Sequence, residues 1–159
     1  MIHISIKPAI IKDIPVIVSI HKDCVAEINS KFYPDQVIKE WLGQISKSNV
    51  LKQFKDSSWI VARLENQIVG FAQYSIKTGE IFQINTNSKF LRQGIGEELY
   101  QFILKDFQKH HSKKISLNST LNAVPFYGKL GFKSLGKIRY KLNKQVMEME
   151  KMEIQLLAS

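Results

Sequence analysis

Two glycines precede a predicted helix in the segment 91–99 (LRQGIGEEL), which follows a predicted strand. Gly94 and Gly96 lack Cβ atoms, so a ligand can approach the backbone closely at these positions. The free N–H groups of a helix start point outward, and the helix dipole adds partial positive charge at that end. Arg92 adds a side chain that can make a charge-assisted contact with an anion. The segment therefore predicts a pyrophosphate site, the alternative being an ordinary turn before a helix.

Two familiar phosphate-binding motifs do not fit this segment. A Walker P-loop ends in Gly-Lys-Ser/Thr, whereas Gly96 is followed by Glu97. A complete dinucleotide fingerprint needs a third glycine at the position where this chain has Leu99. The segment also comes late in the chain, after several predicted hairpins, rather than in a first βαβ unit.

A second segment, 118–132 (NSTLNAVPFYGKLGF), is typical of a strand end, a short helix and a glycine, Gly131, that stops the helix. Its Tyr127 is a candidate proton donor, and Asn118 and Asn122 are candidate hydrogen-bonding side chains. By itself the segment fits a core helix that carries a tyrosine. Its place after the glycine segment is what makes it informative.

Together the two segments resemble the GNAT superfamily of N-acetyltransferases, which has a loop of the type Gln/Arg-x-x-Gly-x-Gly/Ala after its fourth strand. Gly94 and Gly96 fit that loop, although Leu91 occupies the position that is usually Gln or Arg. The family's later segment resembles Ala-x-x-Phe-Tyr-x-Lys-x-Gly-Phe, which is matched in register by Ala123, Phe126, Tyr127, Lys129, Gly131 and Phe132. The asparagine often found seven residues before the tyrosine falls at Thr120, and the stretch 33–42 looks like a bacterial branch of the family.

The resemblance implies acetyl-CoA as cosubstrate, its pantetheine arm pairing with the fourth strand like an added strand. Backbone N–H groups of that strand would polarise the thioester carbonyl, as oriented donors do near a developing oxyanion. Asn118 and Asn122 either hydrogen-bond the pantetheine arm or cap the helix. The residues expected at the cofactor are Ile84, Asn85, Thr86, Leu91, Arg92, Gln93, Gly94, Ile95, Gly96, Glu97, Asn118, Asn122, Phe126 and Tyr127.

The same resemblance implies direct acetyl transfer to a primary amine, which must be neutral to attack. Glu80, at the start of the predicted fourth strand, matches a position where related enzymes often have an acidic base. A solvated carboxylate at a strand end is the alternative for Glu80. Tyr127 resembles the general acid that protonates the leaving CoA thiolate. A tyrosine with a pKa of about 10 suits a thiol with a pKa of about 8.5.

Acceptor selection in the family comes largely from the first two helices and their connection. Here Phe32, Tyr33 and Trp41 either line an acceptor pocket or belong to the core. Tyr74 and Gln73, on the preceding strand, are further candidates. The acceptor is expected to be the amine of a small molecule or of a peptide or protein, and its identity is open.

The remaining alternatives concern the histidines and the class of protein. His21, His110 and His111 have no partner visible in the sequence and are expected at the surface. The competing functional hypothesis is a noncatalytic module of the same fold that senses acyl-CoA or contacts nucleic acid through its basic surface.

Composition limits what partners are expected. The chain has 159 residues, of which 44% are hydrophobic and 23% charged, as in ordinary globular proteins. A net charge of +9 attracts polyanions, but the lysines are scattered and no nucleic-acid module is present, so nucleic acid is not the expected partner. The oligomeric state is open, and a homodimer is compatible with the sequence.

Location is constrained by one cysteine and by the absence of long apolar runs. Cys24 alone cannot form an intrachain disulfide or a cysteine-based metal site, which suits the reducing cytoplasm. No metal is expected. No apolar run approaches the roughly 18 residues that span a bilayer, and the N-terminus does not resemble a signal peptide.

Hydrophobic periodicity supplies the elements that must position these residues. Strands are predicted at 2–7, 58–64, 68–76, 80–86, 114–118, from 131 and at 146–154. Helices are predicted at 13–28 with Asp13 as the cap, at 35–45, 95–111 and 121–130. On strand 80–86, alternation predicts Ile81, Gln83 and Asn85 on one face. The predicted fold is α/β (α+β), a single GNAT-type domain over 1–159 with a mixed, mostly antiparallel sheet of about seven strands and about four helices.

Overall fold

Within residues 3–157, which the computed structural model describes, seven strands form one sheet. The strands are β1 Ile4–Pro8, β2 Ser58–Leu64, β3 Gln67–Ser75, β4 Glu80–Thr86, β5 Lys114–Thr120, β6 Lys133–Lys141 and β7 Val146–Gln155. The α-helices are α1 Ile14–Glu27, α2 Asp35–Gln44, α3 Lys47–Gln53, α4 Ile95–Lys109 and α5 Val124–Lys129. Short 3₁₀ turns lie at Ile11–Asp13, Asn29–Lys31, Ser88–Phe90 and Leu121–Ala123. In this part of the chain no helix is long and apolar enough to cross a membrane.

The strands follow the order β1-β2-β3-β4-β5-β7-β6. Strands β4 and β5 run parallel because α4 carries the chain back across the sheet, as a parallel pair requires. The other neighbouring strands pair antiparallel, and β7 inserts between β5 and β6. This mixed, mostly antiparallel α/β arrangement confirms the predicted fold class.

Both faces of the sheet are covered by helices. Phe71 points to the face on which α1, α2 and α3 pack, whereas the next residue, Ala72, points to the face covered by α4 and α5. The continuous apolar run of β3 reflects this burial on two sides. The central strands therefore form a fixed platform between two helical layers.

The predicted elements agree with the observed ones to within two residues at each end, apart from two helices. The tyrosine helix begins with a 3₁₀ turn before α5, and α3 was not predicted. Only Val50 of α3 is buried, so its apolar periodicity is too weak to reveal it, although Ser46 caps it by accepting the Asn49 N–H at 3.1 Å. The prediction for Ile2 falls outside the described residues.

The side chain of Asp13 does not cap α1 as predicted, although the residue occupies the cap position. A 3₁₀ turn precedes the helix, and the carboxylate instead accepts the Ile10 N–H at 2.9 Å. Its other oxygen accepts from the Arg63 guanidinium on β2 at 3.1 Å. Asp13 thus fixes the start of α1 to the sheet.

The predicted alternation of β4 holds for Gln83 and Asn85 but is wrong for Ile81, because the strand contains a β-bulge at Phe82. Gln83 pairs with Gln73, but Tyr74 pairs with Ile81, so Phe82 is an extra residue on β4. An extra residue reverses the faces on its two sides. Ile81 therefore packs beneath α4, whereas Gln83 faces the α1 side. The bulge therefore separates Ile81 from Gln83 and Asn85, with which simple alternation groups it.

Gly70 on β3 allows the end of β4 and the start of α4 to lie close together. A Cβ there would stand 2.9 Å from the Asn85 carbonyl oxygen and 3.0 Å from Ile95 Cγ2. We expect Gly70→Ala to lower the free energy of unfolding by about 1–3 kcal/mol, since overpacking forces neighbouring atoms apart. Urea denaturation followed by circular dichroism measures the change.

Gly43 provides the matched control, because a Cβ at that helical position would meet nothing within 4 Å. Gly43→Ala should raise the free energy of unfolding by about 0.5–1 kcal/mol through helix propensity alone. A Gly70→Ala variant as stable as the unmodified chain would contradict the close packing.

Candidate active site

Strands β4 and β5 separate shortly after they meet. They pair only at Glu80 with Ser116 and at Ile81 with Leu117. Beyond this point β4 continues to Thr86 without pairing to β5. An unpaired strand edge presents free N–H and C=O groups, which can bind another extended chain. The separation opens a cavity with a volume of about 750 Å³.

Helix α1 holds the end of β4 away from β5. Cys24 donates its Sγ–H to the Thr86 carbonyl oxygen at 3.0 Å. The neighbouring Asp23 accepts the backbone N–H of Ser88 at 2.8 Å and its hydroxyl at 2.9 Å. These contacts fix the last residues of β4 to the helix.

The turn after α1 holds the end of β5. The Tyr33 hydroxyl donates to the Glu148 carbonyl on β7 and accepts the Leu121 N–H at 3.0 Å. Asn29 donates its Nδ2–H to Asn122 Oδ1 at 2.7 Å. One continuous segment of chain therefore sets the width of the gap from both sides.

The glycine loop and the tyrosine segment, distant in sequence, come together beside this gap. A Cβ added to Gly96 would stand 3.3 Å from the ring of Phe126, so the start of α4 lies against α5. The Phe126 ring in turn meets Tyr127 edge-on, with centroids 5.1 Å apart. Leu91, Gly96, Phe126 and Tyr127 all line the cavity.

The backbone of the loop suits an anion. Gly94 precedes α4 with φ 80° and has open space around the position of a Cβ, and Arg92 has φ 63°. The first hydrogen bond of the helix runs from the Glu98 N–H to the Gly94 carbonyl, which leaves the earlier N–H groups directed out of the helix end. Gln93, like Arg92, is exposed, so both side chains can reach a ligand at this end.

Burial keeps Tyr127 protonated. Its ring packs between Phe126 and Phe132, the latter at a centroid distance of 5.6 Å. Loss of solvent around the hydroxyl raises the pKa of Tyr127 above its ordinary value. At neutral pH the side chain is therefore a proton donor that borders the cavity.

The asparagines of the second segment do not cap helices. The cap positions, Thr120 and Ala123, make no side-chain cap hydrogen bond. Asn118 is exposed and lines the cavity, as does Asn122, whose amide is oriented by Asn29. Both side chains are therefore free of the capping role that sequence reasoning left open.

A chain of amide side chains crosses the floor of the cavity on the α1 side. Asn85 donates to Gln83 at 2.8 Å, and Gln83 donates to Gln73 at 2.9 Å. Gln73 then donates to Gln53 and to Ser57, both at 3.0 Å. Sequence reasoning missed Gln53, Ser57 and Gln83 in this network. Gln53 ends α3, which was not predicted, and Ser57 lies between α3 and β2.

The aromatic residues considered for the acceptor pocket lie in different parts of the structure. Trp41 lines the cavity, but Phe32 is exposed elsewhere with 52% of its surface accessible. Tyr33 is buried and serves the hydrogen bonds described above. Tyr74 lies on the opposite face, where its hydroxyl donates to Asp106 at 2.7 Å. Tyr74 directly follows Gln73 on β3, so the ordinary alternation of that strand turns it to the other face of the sheet.

His21 is not at the surface as the sequence suggested, although His110 and His111 are exposed. Its imidazole packs edge-on against Trp41 and Phe71, with centroids 6.3 and 5.9 Å away, and borders the cavity. Desolvation lowers the pKa of His21 to about 4. The ring is therefore neutral at physiological pH.

Comparison with known proteins identifies the family. The model of the acetyltransferase (GNAT) domain matches residues 29–153, and the chain therefore belongs to the GNAT acetyltransferase family. A search of curated protein sequences found no match.

Solved structures share the fold at low sequence identity. A GCN5-related N-acetyltransferase from Rhodopseudomonas palustris is 16% identical with a TM-score of 0.90, covering 96% of this chain and 95% of its own. PaiA N-acetyltransferase from Thermoplasma acidophilum, in complex with coenzyme A, is 18% identical with a TM-score of 0.78, covering 97% and 99%. YncA from Salmonella typhimurium, with its cofactor acetyl-CoA, is 14% identical with a TM-score of 0.65, covering 96% and 93%. These comparisons support acetyl-CoA as the cosubstrate.

Cys24 should be chemically inert in the folded protein. Burial, with the adjacent Asp23 carboxylate adding to it, raises the pKa of Cys24 to about 12 from an ordinary 9.0. At a pH below both pKa values, the raised pKa lowers the fraction of Cys24 present as thiolate by about a thousandfold. The thiolate is the reactive form. At pH 8, native protein should therefore react with a thiol reagent at least a thousand times more slowly than guanidinium-denatured protein.

The pH dependence has a defined direction. Reactivity of the denatured chain should rise through pH 9, whereas that of the native chain should stay low until the pH approaches 12. Because Cys24 is the single cysteine, the signal has one source. Equal labelling rates for native and denatured protein would exclude the buried hydrogen bond to Thr86.

Proposed function

We propose that this protein transfers the acetyl group of acetyl-CoA directly to the primary amine of a small molecule or a peptide. The observation that carries the proposal is the gap between β4 and β5, bordered at one side by the glycine loop and by Tyr127. Family membership and the coenzyme A found in related structures support the same cosubstrate.

The residues around the gap have the donor chemistry that acetyl-CoA requires. The outward N–H groups at the start of α4 suit a pyrophosphate, with Arg92 near them. The free edge of β4 over 82–86 suits the amide groups of a pantetheine arm, which would pair as an extra strand. Asn118 and Asn122 add amide side chains on the opposite wall.

Acetyl-CoA supplies an activated acyl group as a thioester when it is bound. In the proposed reaction the neutral amine nitrogen forms the C–N bond while the C–S bond breaks. Glu80, on the cavity wall at the first of the two positions where β4 pairs with β5, takes the proton that the nitrogen loses, directly or through water. Tyr127 gives its proton to the departing sulfur.

Removing the Tyr127 hydroxyl tests its role as the acid. We expect Tyr127→Phe to lower kcat by about 10²–10⁴-fold, the usual contribution of general acid catalysis, while acetyl-CoA affinity changes little. Thiol release with a panel of amines reports turnover, and calorimetry reports binding.

Tyr100→Phe is the matched control. Tyr100 is buried beside Phe132 like Tyr127, but its hydroxyl has no hydrogen-bond partner among the described residues and does not line the cavity. Its removal should leave turnover unchanged. Equal turnover in Tyr127→Phe and the unmodified protein would remove Tyr127 from the mechanism. Failure to bind acetyl-CoA at millimolar concentration would overturn the proposed function, and binding without turnover of any amine would favour a noncatalytic sensor.

Glu80→Gln tests the proposed base. We expect kcat to fall by about 10²–10⁴-fold, and the loss should shrink as the pH rises, because solution then deprotonates more of the amine. Steady-state rates measured from about pH 7 to about pH 10, the range in which an aliphatic amine loses its proton, show whether the loss shrinks. Glu65→Gln, an exposed turn residue, is the control and should behave as the unmodified protein does. A Glu80→Gln variant with full activity at neutral pH would exclude Glu80 as the base.

A further inference from the structure

Within residues 3–157, no Lys or Arg lines the cavity, although the chain as a whole has 23 Lys and Arg residues and a net charge of +9. Among the described residues that line it, the charged side chains are Asp56 and Glu80. The cavity therefore differs in charge from the rest of this basic chain, and this difference can select among acceptors. Its electrostatics favour a cation and disfavour an anion.

The two carboxylates lie at the same end of the sheet, on either side of β3. Glu80 pairs with Ser75 on β3, and Ser58 of β2 pairs with the preceding Tyr74. Asp56 comes just before β2, so two strand spacings, about 10 Å, separate its backbone from that of Glu80. A ligand that spans this distance can meet one carboxylate at each end.

Apart from the two carboxylates, the described residues of the cavity wall are neutral, and some of them are aromatic. Gln73 and Gln83 present amide groups that are already hydrogen-bonded to each other. Trp41 and Tyr140 add aromatic rings to the same cavity. Aromatic faces attract ammonium groups, and amide oxygens accept their hydrogen bonds.

His21 adds no positive charge to the cavity wall. Its ring borders the cavity and has no hydrogen-bond partner among residues 3–157. Desolvation keeps the pKa of His21 near 4, so the side chain adds no positive charge at neutral pH. It offers a hydrogen bond without repelling a cation.

The nearby basic residues lie outside the cavity. Lys55 precedes Asp56 but is exposed and does not line the cavity. Arg92 is exposed on the glycine loop, where the proposed function assigns it to the phosphates of acetyl-CoA. An acceptor with a carboxylate or phosphate would therefore place that group near a carboxylate and without a counter-ion on the described cavity wall, which is unfavourable.

We infer that the acceptor is an aliphatic amine that carries a second amino group and no carboxylate, phosphate or sulfate. One amine is acetylated at the Glu80 end of the cavity, while the other remains an ammonium beside Asp56. The inference rests on the proposed acetyl transfer, whose site it specifies further.

Three acceptors with the same number of carbons separate the possibilities: putrescine, butylamine and γ-aminobutyrate. The fourth carbon bears an ammonium in putrescine, is a methyl group in butylamine and is a carboxylate in γ-aminobutyrate. We expect kcat/KM for putrescine to exceed that for butylamine by about tenfold, as an exposed ion pair and a cation–π contact together allow. γ-Aminobutyrate should be the poorest of the three.

Asp56→Asn should lower kcat/KM for putrescine and so remove most of the preference for putrescine over butylamine. Asp35→Asn is the matched control, since Asp35 is exposed and lies outside the cavity, and the substitution changes net charge equally. The role of Asp56 would be overturned if Asp56→Asn kept the preference for putrescine, or if Asp35→Asn lost that preference to the same extent.

Calorimetry with coenzyme A present separates failure of the inference from failure of acetyl transfer. Putrescine should bind more tightly than butylamine, its affinity should fall with added salt, and Asp56→Asn should abolish the difference. Acetylation of γ-aminobutyrate at the rate of putrescine would overturn the inference and leave acetyl transfer standing. Putrescine binding with this pattern but without thiol release would support the inference about the cavity and contradict the proposed reaction.

Discussion

Strands β4 and β5 meet over two residue pairs, Glu80 with Ser116 and Ile81 with Leu117, and then diverge. Continued pairing would satisfy the backbone groups of β4 and close the cavity. Instead, helix α1 and the turn after it hold both strand ends, through Cys24 on one side and Tyr33 on the other. The unpaired edge is therefore maintained by side-chain hydrogen bonds from elements on one face of the sheet.

Desolvation favours the neutral form of three side chains around this opening. Burial raises the pKa values of Tyr127 and Cys24 and lowers that of His21, so all three are neutral at physiological pH. The charges left on the cavity wall are those of Asp56 and Glu80. A basic protein thereby contains a cavity whose described wall carries no positive side chain.

Local sequence was sufficient for the parts of the fold that depend on short-range periodicity. The glycine loop, the tyrosine segment and most strands follow from spacing alone, and their family pattern indicated the cosubstrate. Features set by strand pairing were not accessible in this way. The extra residue Phe82 puts Ile81 and Gln83 on opposite faces of the sheet, although simple alternation places them on the same face. The placement of His21 depends on how α1 packs across the sheet.

Amide hydrogen exchange with and without acetyl-CoA tests most directly whether the free edge of β4 binds the cosubstrate. If the free edge of β4 binds the cosubstrate, peptides that cover 82–86 and the loop 91–96 should become more protected, because their N–H groups gain partners. Peptides from β1 and from β6, which lie at the two edges of the sheet, should exchange as before. Protection confined to other regions, with unchanged exchange along β4 and the loop, would contradict the account.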